Sequence, residues 1–348
     1  MKANSFLSHR RFRYEVIERF FLWIATGTLL ISCRTVRPTE SPPSFIGGEQ
    51  AREGQFPASL SLGGCTASKL SSYFILTAGH CVQNLDGNLY VSPLPNATLT
   101  VKSGVLSDAA KKFQLPLART LIHYTYRNTA RMTESQRNDE LRSGRTRDLA
   151  ILEVCRSTPV TNDCFEFAKL KSARLPAAEQ DGIEVGKRMA VGGYGREAEE
   201  SKERRILNDT SGFIITEGDE GSRLKSASVP IAELFPNVAG FSNAVEAVIT
   251  DIGKEHIPTL KLGGGDSGGP VYLDDRPDGV QYEDHSYFMV VGINSFSITE
   301  SSFFTSFDWK RQRQEIQCVE SILRDEQTEI VMNPKGFGEI CRQQTAKK

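Results

Sequence analysis

Short segments of strand character, set apart by turn residues, limit most strongly what this chain can become. "ASLSLGG" from Ala58 alternates Ala58, Leu60 and Leu62 with Ser59 and Ser61, the period of a half-buried strand. "YFILTA", "TLTVKSGV", "DLAILEV", "KRMAVGGYG", "SGFIITE", "ASVPIA" and "YFMVVGINSF" follow. No helical period lies between them, so an all-β sandwich or barrel is expected. One helix is expected near the end, where Trp309, Ile316, Val319 and Leu323 share a face and Asp308 stands at the N-cap. The polar stretches 127–147, 196–212 and 274–279 read as solvated surface loops. The acids of 274–279 do not have the spacing of a calcium loop. No internal repeat of fixed period is evident.

Of the 348 residues, 39% are hydrophobic and 24% charged, and the formal net charge is -1. That balance excludes neither a large globule nor export, but it offers phosphates no basic surface, so no nucleic-acid partner is expected. Residues 1–32 read as a signal peptide, because Arg10, Arg11 and Arg13 precede the apolar run Phe20–Ser32, too short for a membrane span. Leu30-Ile31-Ser32-Cys33 resembles the lipobox of bacterial lipoproteins, which implies a lipid on Cys33 and a membrane as partner. An ordinary signal peptide or anchor is the alternative, and Arg10-Arg11 is a weak twin-arginine match. In each case the chain leaves the cytoplasm, for the cell envelope or the medium. Residues 33–44 read as a linker, 45–325 as the folded domain and 326–348 as a polar tail.

The chemistry centres on "KLGGGDSGGP", Lys261 to Pro270. A serine hydroxyl alone is a poor nucleophile; Ser267 needs a base within hydrogen-bond reach and a carboxylate to orient that base. Of the five histidines, His80 stands out in "LTAGHC", directly after an apolar segment and before Cys81. "TAGHC", "RDLAIL" around Asp148 and "GDSGGP" around Ser267 resemble the three signatures of trypsin-like (chymotrypsin-family) serine proteases, in that family's chain order. "FIGGEQAREGQFPASLSL" resembles the family's activated N-terminal segment, and "VGGYG", "ASVPIA" and "VVGINSF" resemble later strands. Together the matches cover about residues 45–325. The same serine also satisfies the G-x-S-x-G elbow of α/β-hydrolases, but only His285 lies downstream and no βαβ alternation exists, so that reading is set aside.

The resemblance implies two six-stranded antiparallel β-barrels with a C-terminal α-helix. It implies peptide-bond hydrolysis through an acyl-enzyme, with Ser267 as nucleophile, His80 as base and Asp148 behind it. The backbone N–H groups of Gly265 and Ser267 would form the oxyanion hole, and no metal or organic cofactor is called for. Asp266 would pair with the α-amino group of Phe45, freed by an activating protease. Here the sequence departs from the pattern, since Phe45 replaces a small aliphatic residue and Ser44-Phe45 is no substrate for a trypsin-like activator. Lys261 stands where trypsin-like members carry the base of the primary pocket. Ser297, after Ser295 and Phe296, is at a pocket-wall position usually held by glycine, and Ser302 is the candidate for the other wall. A lysine there would repel basic substrates and attract acidic ones. Resemblance also implies the disulfide Cys65–Cys81, whereas Cys155–Cys164 and Cys318–Cys341 are pairings suggested by proximity alone. The expected partner is a protein or peptide substrate; the alternative is an inactive, protease-like surface binding or adhesion protein.

Overall fold

The computed structural model describes residues 49–82, 97–104, 111–123, 125–126, 132–143, 146–156, 160–195, 224–236, 238–242, 262, 265–297 and 301–324, with the backbone of short ribbons at 205–208, 214–217, 248–249 and 255–256. The strands in chain order are β1 Glu49–Gln50, β2 Ser59–Ser61, β3 Thr66–Lys69, β4 Phe74–Thr77, β5 Thr98–Ser103 and β6 Lys111–Ile122. They continue with β7 Ala150–Val154, β8 Arg188–Gly193, β9 Arg205–Asn208, β10 Ile214–Glu217, β11 Lys225–Pro230 and β12 Glu233–Leu234. The last are β13 Val238–Ser242, β14 Val248–Ile249, β15 Glu255–His256, β16 Pro270–Leu273, β17 Val290–Ser297 and β18 Ser301–Ser306. All ladders between them are antiparallel.

Strands β2-β3-β4-β7-β6-β5 close into a barrel, sealed where Leu60 and Ser61 of β2 face Ser103 and Lys102 of β5. Closure removes the unpaired sheet edges that would invite association. The second body is a sheet in the order β1-β11-β8-β16-β17-β18-β13-β12. Its six long strands, read as a ring, repeat the cyclic order of the first barrel. This curled sheet stands for the second of the two expected barrels, and among the described residues no ladder joins β11 to β13. β11 ends at Pro230, which has no N–H to donate, and β13 instead turns back on β12 through Glu233↔Gly240 and Leu234↔Ala239.

Alternation along the strands sorts apolar side chains into three large cores and a small cluster of Val238 and Phe303. Ala150, Leu152 and Val154 of β7 face the interior of the first barrel, together with Ile75, Leu99 and Phe113. Their neighbours Leu149 and Ile151 join Phe74, Leu76, Ala190, Tyr272 and Ile293 in a cluster between the two bodies. Met189, Val191, Val271 and Val291 fill the second body. Runs such as "LAIL" are therefore apolar throughout because both faces are covered.

The expected terminal helix runs Trp309–Arg324, with a break in helical geometry at Gln312. Asp308 Oδ1 accepts from the Lys310 N–H at 3.2 Å, and Gln312 Oε1 accepts from the Asp308 N–H at 2.7 Å. Ile316 and Val319 are fully buried in the cluster between the bodies. Two further helices correct the sequence reading. Glu134–Ser143 lies within the stretch read as loop; its polar residues offer no apolar period. Asn162–Lys169 is too short to show one, and is started by Thr161, whose Oγ1 accepts from the Cys164 N–H at 3.3 Å. The buried Lys69 closes its other end, Nζ donating to the carbonyls of Ala168 (3.2 Å) and Leu170 (2.6 Å). Burial lowers that amine to about 8. Strand β9 likewise falls in the stretch 196–212 read as loop. Asp274, expected in a solvated turn, is buried: it takes Arg276 at 2.7 and 3.0 Å and Ser228 Oγ at 2.9 Å.

Candidate active site

The loop after β4 carries His80, and Asp148 stands two residues before β7 begins. Thr77 pairs with Ala150 across these two strands, so the residues that follow and precede them emerge side by side. His80 Nδ1 lies 2.6 Å from Asp148 Oδ2, and the His80 backbone N–H donates to Asp148 Oδ1 at 2.9 Å. The imidazole is therefore fixed in both position and tautomer, with Nδ1–H directed at the carboxylate. A third of the His80 side chain is exposed, against 14% for Asp148. Burial disfavours the imidazolium, but the charge and hydrogen bond of Asp148 outweigh it, so the His80 pKa is raised. Asp148 is desolvated too, yet His80, the Ser295 hydroxyl and the His80 N–H hold its pKa below the ordinary carboxylate value.

From the second body, Ser295 Oγ donates to Asp148 Oδ2 at 2.5 Å. The ladder between β17 and β18 slips one register between Asn294 and Phe296, which places Ser295 in a bulge. A bulge re-aims a side chain, and nothing in the residue string marks it. The sequence reading put Ser295 with the substrate pocket and missed this contact. Thr305 Oγ1 adds a hydrogen bond to the Asp148 carbonyl at 3.2 Å.

Ser267 sits in the turn before β16 and is pressed against the same loop. Its carbonyl accepts from the Thr66 N–H at 2.8 Å and touches Cys81 Sγ at 3.6 Å. Cys65, beside Thr66, is bonded to Cys81, beside His80. One disulfide and one hydrogen bond thus tie the Ser267 turn and the His80 loop together. Cys155–Cys164 is also bonded, and Cys318 is disulfide-bonded, while Cys341 lies outside the described residues. His80 and the sulfurs of Cys65 and Cys81 lie within 4.8 Å of one another, but sulfurs spent on a disulfide cannot hold a metal.

The approach depends on glycine. A Cβ on Gly268, whose φ is +78°, would stand 2.1 Å from Thr77 Oγ1 and 2.3 Å from the Thr66 carbonyl. Gly268→Ala should therefore cost about 2–5 kcal/mol, left-handed strain plus overpacking, in chemical denaturation. Gly54→Ala, at φ +80° with nothing within 4 Å, should cost only about 1 kcal/mol by the same measurement. Equal losses would show that the contact with Thr77 is slack.

Asp266 is fully buried, and its Oδ1 accepts from the Gly195 N–H at 2.7 Å. A Cβ on Gly193 or Gly195 would fall 2.2–2.4 Å from that carboxylate, which explains the last two glycines of "VGGYG". Gly265, at φ +100°, offers its carbonyl to Thr66 Oγ1–H at 2.8 Å. Among the described residues, neither the Gly265 N–H nor the Ser267 N–H donates to a protein group. Phe45 and Lys261 lie outside the described residues, as do the side chains of Phe296 and Ser297. The β17–β18 register sets Ser297 opposite Ser302. Ser302 is fully buried, and its hydroxyl accepts from the Leu262 N–H at 3.1 Å, beside the position of Lys261 in the chain.

A family model described as Trypsin matches residues 45–233, more than half of the chain. Serine protease SP24D of Anopheles gambiae is 29% identical over 180 residues, which cover 50% of this chain and 58% of that protein. The chain thus spans little more than half the length of that relative.

Proposed function

Because the chain belongs to the trypsin family, we propose that it is a serine endopeptidase acting through Ser267, His80 and Asp148. The observation that carries this reading is the bonded pair of His80 and Asp148 standing over the loop that holds Ser267. Ser267 Oγ attacks the scissile carbonyl while His80 Nε2 takes its proton, and the imidazolium is stabilised by Asp148. The Gly265 and Ser267 N–H groups receive the developing oxyanion, a contribution of about 10²–10³ in rate per donor. His80 returns the proton to the leaving amine, and water then resolves the acyl-enzyme by the same steps in reverse. No metal or organic cofactor takes part.

Finer parts of the proposal rest on sequence. Lys261 at the pocket floor favours an acidic side chain before the cut bond. Release of the Phe45 amine by another protease would supply an ammonium group for the buried Asp266 carboxylate and shape the oxyanion loop. The signal-like residues 1–32 export the chain, in keeping with its disulfides; a lipid on Cys33 rests on Leu30-Ile31-Ser32-Cys33 alone. A peptide library digested by protein beginning at Phe45 tests activity and pocket together. Cleavage after Asp or Glu is expected. Cleavage after Arg or Lys would overturn the pocket assignment, and no cleavage at all would overturn the enzyme.

A further inference from the structure

Arg147, the residue before Asp148, is 3% exposed. Its Nη2 donates to the Ser306 carbonyl of β18 at 3.0 Å and stands 2.7 Å from Glu315 Oε1 on the terminal helix. Its guanidinium lies 5.8 Å from the centre of the Phe307 ring. On the far side of Glu315, His123 Nε2 is 3.8 Å from Oε2, while the His123 N–H donates to the Leu149 carbonyl at 2.9 Å. Burial, and then the Arg147 charge, push the His123 pKa down to about 3, so His123 is neutral at neutral pH, while burial raises the Glu315 pKa against the pull of the Arg147 charge and hydrogen bond. Asp148 is thus flanked on both sides by backbone tied to Glu315 or its neighbours.

A buried ion pair is a poor source of net stability, because desolvation offsets its attraction, and apolar residues of similar volume often serve as well. What such a pair fixes well is geometry. We propose that Arg147 is a positioning residue which, by joining Ser306 and Glu315, sets where Asp148 stands against His80 and makes the terminal helix a working part of the catalytic site. This rests on the protease reading above. A shift of Asp148 by a fraction of an ångström would misdirect the imidazole without altering the surface that receives substrate.

The test is the pre-steady-state burst with p-nitrophenyl acetate, using the full chain and its variants processed alike. Arg147→Lys keeps a charge for Glu315 but loses the planar fork. Arg147→Met/Glu315→Leu removes both charges and should melt within a few degrees of wild type. In both, acylation should slow about 10- to 100-fold with apparent substrate affinity changed less than about twofold. Wild-type acylation in Arg147→Lys, or in a well-folded double variant, would overturn the inference while leaving the protease reading intact. A wild-type protein without a burst would defeat the protease reading itself and this inference with it.

Discussion

Ser267→Ala should lower kcat for peptide hydrolysis by about 10⁶, and His80→Ala by a similar factor, since nucleophile and base act as one unit. For the same reason the double variant should be no slower than either single one. The residue of about 10³–10⁴ over water would come from the oxyanion hole and substrate binding. Ser267 and His80 are both partly exposed, the His80 side chain to one third, so the folded state should survive each change. Stopped-time assays on a peptide substrate, with melting curves alongside, check this. A loss of only tenfold, or factors that multiply in the double variant, would mean that Ser267 and His80 do not share one reaction.

Asp148→Asn should lower kcat by about 10⁴, because an amide cannot stabilise the imidazolium and favours the wrong tautomer. Its pH dependence gives a second, independent reading. The base must be neutral, so kcat/KM rises with pH as His80 loses its proton. In the wild type Asp148 raises the His80 pKa, which places the midpoint of that rise above the ordinary histidine value of about 6.5. In Asp148→Asn the attraction is gone while burial remains, so the midpoint should move below it. The same pair links to stability. The raised His80 pKa contributes stability that is fully present below the unfolded value and lost as pH rises through the folded one. The depressed Asp148 pKa contributes stability present above the unfolded value and lost as pH falls through the folded one. The pair therefore stabilises most between the two unfolded-state values, about 3.9 for the carboxylate and about 6.5 for the imidazole. An unchanged midpoint in Asp148→Asn would sever Asp148 from His80 in function.

Much of this was legible because a few local patterns encode it. Alternation and turn residues marked β2, β4, β7, β8, β11 and β17, and Trp309, Ile316 and Val319 marked the terminal helix. The segments "TAGHC" and "GDSGGP" pointed to the loops now seen packed against each other, and the clash that a Cβ on Gly268 would make with Thr77 and Thr66 is the physical reason for that glycine. What could not be read depends on contacts distant in sequence. Ser295 meets Asp148 only because β17 bulges, and Arg147 meets Glu315 only because the terminal helix packs back beside the segment that precedes β7. The open seam beside Pro230 depends on which neighbour β13 chooses. Helix Glu134–Ser143 has no apolar stripe, so its period left no trace in the residue pattern. Asp274 looked solvated because its partners, Ser228 and Tyr287, come from other strands and loops.

The most direct measurement is covalent labelling by a fluorophosphonate, which reacts only with a serine made nucleophilic by a neighbouring base. Processed wild-type protein, digested and sequenced by tandem mass spectrometry, should carry the adduct on Ser267, with labelling absent in Ser267→Ala and abolished or greatly slowed in His80→Ala. Folded, processed protein that takes up no adduct, or takes it up at another residue, would contradict the account.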